Sequence, residues 1–77
     1  MYKDLVEYLV KSLVDNKEQV VVSLTETDNK KIITVKVPEA EMGRVIGKDG
    51  RIIKSIREIV RAYGAKNKET VLVEVEE

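Results

Sequence analysis

The sequence predicts an α+β fold: a three-stranded mixed sheet with three helices packed on one face, in the order α-β-β-α-α-β. Apolar residues recur at helical spacing in three stretches and at every second position in three others. A short polar turn joins the first two alternating stretches and makes them an antiparallel hairpin. Two helical stretches separate the second and third alternating ones, a crossover long enough to make those strands parallel. The usual right-handed connection then puts the helices on one sheet face.

Tyr2, Leu5, Val6, Leu9, Val10, Leu13 and Val14 form the apolar side of a first helix that should end near Asn16. Tyr8 falls outside this stripe, as a half-exposed surface aromatic or part of an oligomer contact. From Gln19 to Glu26 the chain is rich in β-branched residues, and Val20, Val22 and Leu24 share one side of a strand. Thr27-Asp28-Asn29-Lys30 carries turn chemistry, because Asp and Asn side chains bond nearby backbone and tolerate left-handed angles. The second strand, Lys31 to Val37, turns Ile33, Val35 and Val37 inward.

Pro38 ends that strand and can open a short helix to Ile46, with Glu39 and Glu41 near its positive end. Gly43 inside this helix costs about 1 kcal/mol against alanine. Its absent side chain either opens a groove, permits close packing, or is merely tolerated. A third helix from about Arg51 to Tyr63 has Ile52, Ile53, Ile56, Ile59, Val60 and Tyr63 as its core stripe, and Gly64 is expected to stop it. Thr70 to Glu76 is the last strand, with Val71, Val73 and Val75 inward.

Residues 1–77 are expected to make one small domain, and a 43% hydrophobic content with clear periodicity argues for a folded chain. There is no cysteine and no histidine, which removes disulfides, thiolate metal sites and the commonest general base. An enzyme is therefore not expected, nor a metal or cofactor. Met1-Tyr2-Lys3-Asp4 opens no apolar run of signal-peptide length, so a cytoplasmic location is expected.

Fourteen basic and 14 acidic residues cancel, so global charge gives no support for a polyanionic ligand. Its distribution is more informative, since residues 44–61 hold six basic side chains (Arg44, Lys48, Arg51, Lys54, Arg57, Arg61) against Asp49 and Glu58. A local basic face on a neutral domain is the weaker form of the nucleic-acid footprint. Arg57 and Arg61 lie one turn apart and can equally solvate the surface or pair with a neighbouring acid.

The stretch Arg44-Val45-Ile46-Gly47-Lys48-Asp49-Gly50-Arg51-Ile52-Ile53-Lys54-Ser55-Ile56 ties these features together. Gly47 and Gly50 frame a tight turn where left-handed angles and close approach are open to the backbone. The helix that follows begins with N–H groups that lack intrahelical partners, and its dipole favours an anion there. Asp49 can cap that helix, while its charge would repel a phosphate.

The spacing Val-Ile-Gly-x-x-Gly-x-x-Ile-x-x-Ile, with Gly43 before it, resembles the signature of the KH domain, whose GxxG loop clamps the backbone of about four nucleotides. The element order resembles the prokaryotic, type II form, and the chain as a whole resembles the small stand-alone bacterial KH proteins of the KhpA type. The resemblance implies a single-stranded RNA, or single-stranded DNA, lying between the two helices around the loop. Gly47, Lys48, Asp49 and Gly50 would hold its backbone. Gly43, Arg44, Val45, Ile46, Ile53 and Lys54 would line the groove or its rim, Arg51 would flank the loop, and the strand from Ile33 to Val37 would form the other wall. Val45, Ile46 and Ile53 can also be read as core. The resemblance further implies an RNA chaperone or regulator acting as a homodimer, or as a heterodimer with a larger KH protein. A protein-interaction module on the same scaffold is the alternative.

Overall fold

The computed structural model describes residues 2–77; Met1 lies outside them. The elements run α1 (Tyr2–Lys11), β1 (Val21–Glu26), β2 (Lys30–Lys36), α2 (Glu39–Ile46), α3 (Arg51–Lys66) and β3 (Thr70–Glu76), in the expected order. Single 3₁₀ turns at Lys17–Gln19 and Lys48–Gly50 precede β1 and α3.

The sheet order is β1-β2-β3. β1 and β2 pair antiparallel with Val22 opposite Val35 and Leu24 opposite Ile33, while β2 and β3 pair parallel with Ile33 beside Val73. The core lies between the sheet and the helices. Val6 and Val10 of α1, Ile33 and Val35 of β2, Val45 of α2 and Val60 of α3 have no exposed surface. It is built almost wholly of valine and isoleucine, β-branched residues that suit a pleated, half-buried surface. The opposite sheet face is open, and Val21, Ser23 and Leu72 on it are exposed.

α1 ends at Lys11, a turn earlier than its apolar stripe suggests. Leu13 donates its N–H to the Val10 carbonyl, tightening the last turn, and the N–H groups of Asp15 and Asn16 donate instead to Glu41 Oε2, at 3.1 and 2.8 Å. Glu41 is thus a buried carboxylate that fastens α2 to the segment after α1. Its position in the first turn of a helix gave no hint of this.

Gly64 does not stop α3, which runs on to Lys66. Gly64 is buried against β3, where an added Cβ would lie 2.8 Å from the Glu69 carbonyl oxygen and 3.0 Å from Val71 Cγ2. The helix ends instead in a Schellman turn, with Glu69 N–H donating to the Gly64 carbonyl (2.8 Å) and Lys68 N–H to Ala65 (3.0 Å). Lys68, at φ 60°, takes the left-handed position that glycine usually fills.

Ile59 also departs from expectation, being 51% exposed. The α3 stripe divides in two. Ile53, Ile56, Val60 and Gly64 face the sheet, whereas Ile52 and Ile59 line an apolar depression beside α1 together with Tyr8, Leu9 and Leu13.

Tyr2 anchors the start of α1. Its ring sits edge-on to Tyr63 at 5.2 Å, and its hydroxyl donates to Glu69 Oε1 (2.6 Å) and accepts from Asn67 Nδ2 (3.1 Å). Lys31 Nζ pairs with Glu69 Oε2 at 2.6 Å. The hydrogen bond from Lys31, then that from Tyr2, holds the Glu69 carboxyl below its usual range. The bond to Glu69 is likewise what holds the Lys31 ammonium above its own, and the Tyr2 hydroxyl above the usual range for tyrosine.

Candidate nucleic-acid interface

Three of the four positive-φ residues among those described, Gly47, Asp49 and Gly50, lie in the loop between α2 and α3. Gly47 lies at φ 77°, ψ 174°, a region open essentially to glycine alone. A Cβ there would stand 2.6 Å from Ile52 Cγ1. Asp49 and Gly50 follow at φ 57° and 72°. Gly47 N–H donates to the Gly43 carbonyl (2.9 Å) and Gly50 N–H to that of Gly47 (3.1 Å), so the turn is closed by its own backbone. Asp49 does not cap α3: the N-cap is Gly50, and no side chain bonds there. With a left-handed backbone, Asp49 leaves its exposed carboxylate at the tip of the loop.

Lys48, Arg51 and Lys54 surround the start of α3. All are exposed, and among the described residues none forms an ion pair. Their charge adds to the positive end of the α3 dipole. Arg44 differs, because it is held by Asp15 (3.2 Å) and Glu41 (3.4 Å). Gly43 is exposed, and nothing lies within 4 Å of the place a Cβ would occupy. Close packing is therefore not its reason; the bare helix face opens onto space.

Ile46 is half-buried, whereas Val45 is fully buried and Ile53 is 6% exposed. These two belong to the core beneath the loop. The expected wall from Ile33 to Val37 is not available: β2 is the central strand, paired on both sides, and Ile33, Val35 and Val37 are buried. The strand beside α3 is β3, with a free edge. Along that edge a shallow cleft is lined by Arg57, Arg61, Val71, Leu72 and Val73. Arg57 Nε donates to the Val73 carbonyl at 3.0 Å.

Sequence reasoning missed this edge, because which strand is central depends on pairing. One signal was present. Lys54, Arg57 and Arg61 share one flank of α3 at i, i+3, i+7, and the apolar Ile52 and Ile59 share the other.

No group of acidic side chains among the described residues is arranged to hold a metal ion, and no helix is long and apolar enough to cross a membrane.

Comparison with known proteins places the chain in a family. The family model described as "KhpA/KhpB, KH domain" matches residues 3–75. Proteins named "RNA-binding protein KhpA" from Listeria monocytogenes and Aquifex aeolicus are each 44% identical over 73 residues, 95% of this chain and 96% and 92% of theirs. One from Clostridium perfringens is 45% identical over 95% of this chain and 97% of its own. Among solved structures, Aquifex aeolicus Era bound to GDP·AlF4⁻ superposes with a TM-score of 0.63 at 21% identity, over 97% of this chain and 30% of that one. A structure of Era with MgGDPNP and a segment of 16S ribosomal RNA matches equally well, over 29% of its length. At that identity the likeness speaks for the fold, a type II KH arrangement. The glycine-bracketed loop, the order of elements around it and relatives matched over almost their full length agree, and the chain belongs to the KhpA/KhpB family of KH domains.

Proposed function

We propose that this chain binds single-stranded RNA through the Gly47-Lys48-Asp49-Gly50 loop. It acts as an RNA chaperone or post-transcriptional regulator in the cytoplasm, with no catalysed reaction. The observation that carries the reading is the loop, whose backbone takes a glycine-only angle at Gly47 and left-handed angles at Asp49 and Gly50, beside the exposed cations Lys48, Arg51 and Lys54, which form no ion pair among the described residues. Main-chain donors and Lys48 hold the sugar-phosphate backbone, and Gly43 leaves room for it to pass. Arg44 and Ile46 form the rim, while Val45 and Ile53 shape the floor from beneath. That relatives over 95% of the chain are named RNA-binding proteins supports the same reading.

Asp49 opposes a phosphate, so a single site binds weakly. Two linked sites raise effective concentration without any new contact, and the chain accordingly works as a homodimer or with a larger KH protein. The apolar depression between α1 and α3 supports this, since Tyr8 and Ile59 on it are 71% and 51% exposed. A monomeric mass by light scattering at micromolar concentration, unchanged by that partner, would count against it. The same surface favours the second reading, a protein-interaction module with nucleic-acid binding secondary.

Fluorescence anisotropy of short single-stranded RNA and DNA, across a salt series, separates the two. Wild-type binding that falls with salt and is lost in a folded Lys48→Asp variant supports the clamp. Equal binding by both, or none by either, moves the interaction module to first place.

A further inference from the structure

Asp49 brings a negative charge into the loop, and no contact in the fold accounts for it. Aspartate tolerates a left-handed backbone because its short side chain can bond the neighbouring main chain. Asp49 takes that backbone, at φ 57° and ψ 25°, without making that bond. Among the described residues its carboxylate accepts no hydrogen bond and forms no ion pair, although Lys48 precedes it and Arg51 follows two residues on. Glycine would hold the same angles with no charge to face a phosphate.

The turn leaves this carboxylate beside a cation. Gly50 N–H closes on the Gly47 carbonyl at 3.1 Å, and Arg51 N–H closes on that of Lys48. Lys48 and Asp49 remain as two consecutive exposed side chains, one a donor with positive charge and the other an acceptor with negative charge.

A sugar-phosphate backbone matches such a pair only when it is RNA. Phosphate and ring oxygens are acceptors, which a carboxylate repels. The 2′-hydroxyl is the one donor in the backbone, and DNA lacks it. It sits on the carbon next to the one that carries the 3′-phosphate, so Lys48 can take the phosphate while Asp49 accepts from the hydroxyl of the same nucleotide. An O–H donated to a carboxylate makes a short, strong hydrogen bond. On DNA the same charge meets acceptors alone.

Resting on the RNA-binding reading above, we propose that Asp49 selects RNA over single-stranded DNA by accepting a hydrogen bond from a ribose 2′-hydroxyl at the tip of the loop. The charge that weakens the grip on a phosphate is thereby the element that tells one backbone from the other.

The test is anisotropy with labelled heptanucleotides of one sequence, made as RNA, as DNA and as 2′-fluoro RNA, whose sugar keeps the ribose pucker but has no donor. Each is titrated in magnesium and in EDTA. Wild type is expected to bind RNA about tenfold more tightly than either of the others, the lower range for a hydrogen bond to a charged group. Asp49→Gly, which suits the left-handed backbone, should bring both ratios to about one, with DNA bound more tightly than by wild type. Asp49→Asn, which keeps an uncharged acceptor, should fall between. Equal binding of RNA and 2′-fluoro RNA by wild type would overturn the proposal while leaving the RNA-binding reading standing. So would a change in Asp49→Gly that is the same for all three backbones, which would make Asp49 a repulsive charge or a loop element only. A preference seen in magnesium and lost in EDTA would assign the discrimination to a bridging cation and overturn it equally. No binding of any oligonucleotide by wild type would instead overturn the RNA-binding reading, and this proposal with it.

Discussion

Alanine at Gly47 and at Gly50 separates two reasons for a glycine in the same loop. Both positions have positive φ, 77° and 72°. Gly50, however, sits in the ordinary left-handed region at ψ 16° with nothing within 4 Å of an added Cβ. There alanine meets only the backbone penalty, about 1–2 kcal/mol. At Gly47, ψ 174° puts the residue where non-glycine backbones cost about 1–3 kcal/mol. The new methyl would also stand 2.6 Å from Ile52 Cγ1 and 3.0 Å from its Cβ. Because Ile52 Cβ is fixed by its helix, the contact cannot be relieved by rotation alone, and overpacking adds about 1–3 kcal/mol. Gly47→Ala should therefore cost about 2–6 kcal/mol, against a total stability of roughly 4–12 kcal/mol for a chain of this length. Urea unfolding followed by circular dichroism measures both variants under one m-value. Equal losses, or a larger loss at Gly50, would refute the loop geometry on which the clamp depends.

Other perturbations probe different parts of the account. Gly43→Ala should stabilise the chain by up to about 1 kcal/mol, since the methyl enters open space in a helix, yet weaken RNA binding; a thermal melt and an anisotropy titration of one sample check both halves. Glu41→Ala strands the N–H groups of Asp15 and Asn16 and should cost about 2–4 kcal/mol in urea, whereas Glu41→Gln, which keeps an acceptor, should cost less. Lys68→Gly should stabilise by about 0.5–1 kcal/mol, because it relieves a left-handed lysine. For pH, the lowered Glu69 carboxyl contributes stability above its ordinary value near 4.5, and this is lost as pH falls through the lower folded value. The raised Lys31 and Tyr2 contribute below their ordinary values near 10.5 and 10.0, and lose this as pH rises through the raised ones. Glu69→Gln should thus be less stable than wild type at neutral pH, with the gap closing in acid; a constant gap across the series would contradict the network.

What could be read from the sequence was local, and what escaped it was set by neighbours distant in the chain. Valines alternating through 71, 73 and 75, or isoleucines recurring through 53 and 56, report their own periodicity. The glycines at 47 and 50 report a turn wherever the chain goes. Gly64 looks like a helix stop, yet it is there because Glu69 and Val71 return across it. Glu41 looks like an N-terminal acid, and becomes a buried acceptor because α1 ends beside it. Ile59 fits the core stripe, but it lies on the flank of α3 away from the sheet, in the half-open depression beside α1. The wall of the groove was misplaced for the same reason, since alternation shows which side of a strand is inward but not which strand lies at the edge. The opposite flanks of α3 could have been separated earlier: basic residues at 54, 57 and 61 and apolar ones at 52 and 59 already divide the helix into two surfaces.

The central claim is that RNA lies across the glycine loop, and amide shift mapping tests it most directly. The labelled chain would be titrated with a short single-stranded RNA while the backbone resonances are followed. The account predicts the largest shifts at Gly43, Gly47, Lys48, Asp49 and Gly50, continuing to Arg51 and Lys54. Shifts confined to Tyr8, Ser12, Ser55 and Ile59, or spread over the open sheet face at Ser23 and Thr34, would contradict it.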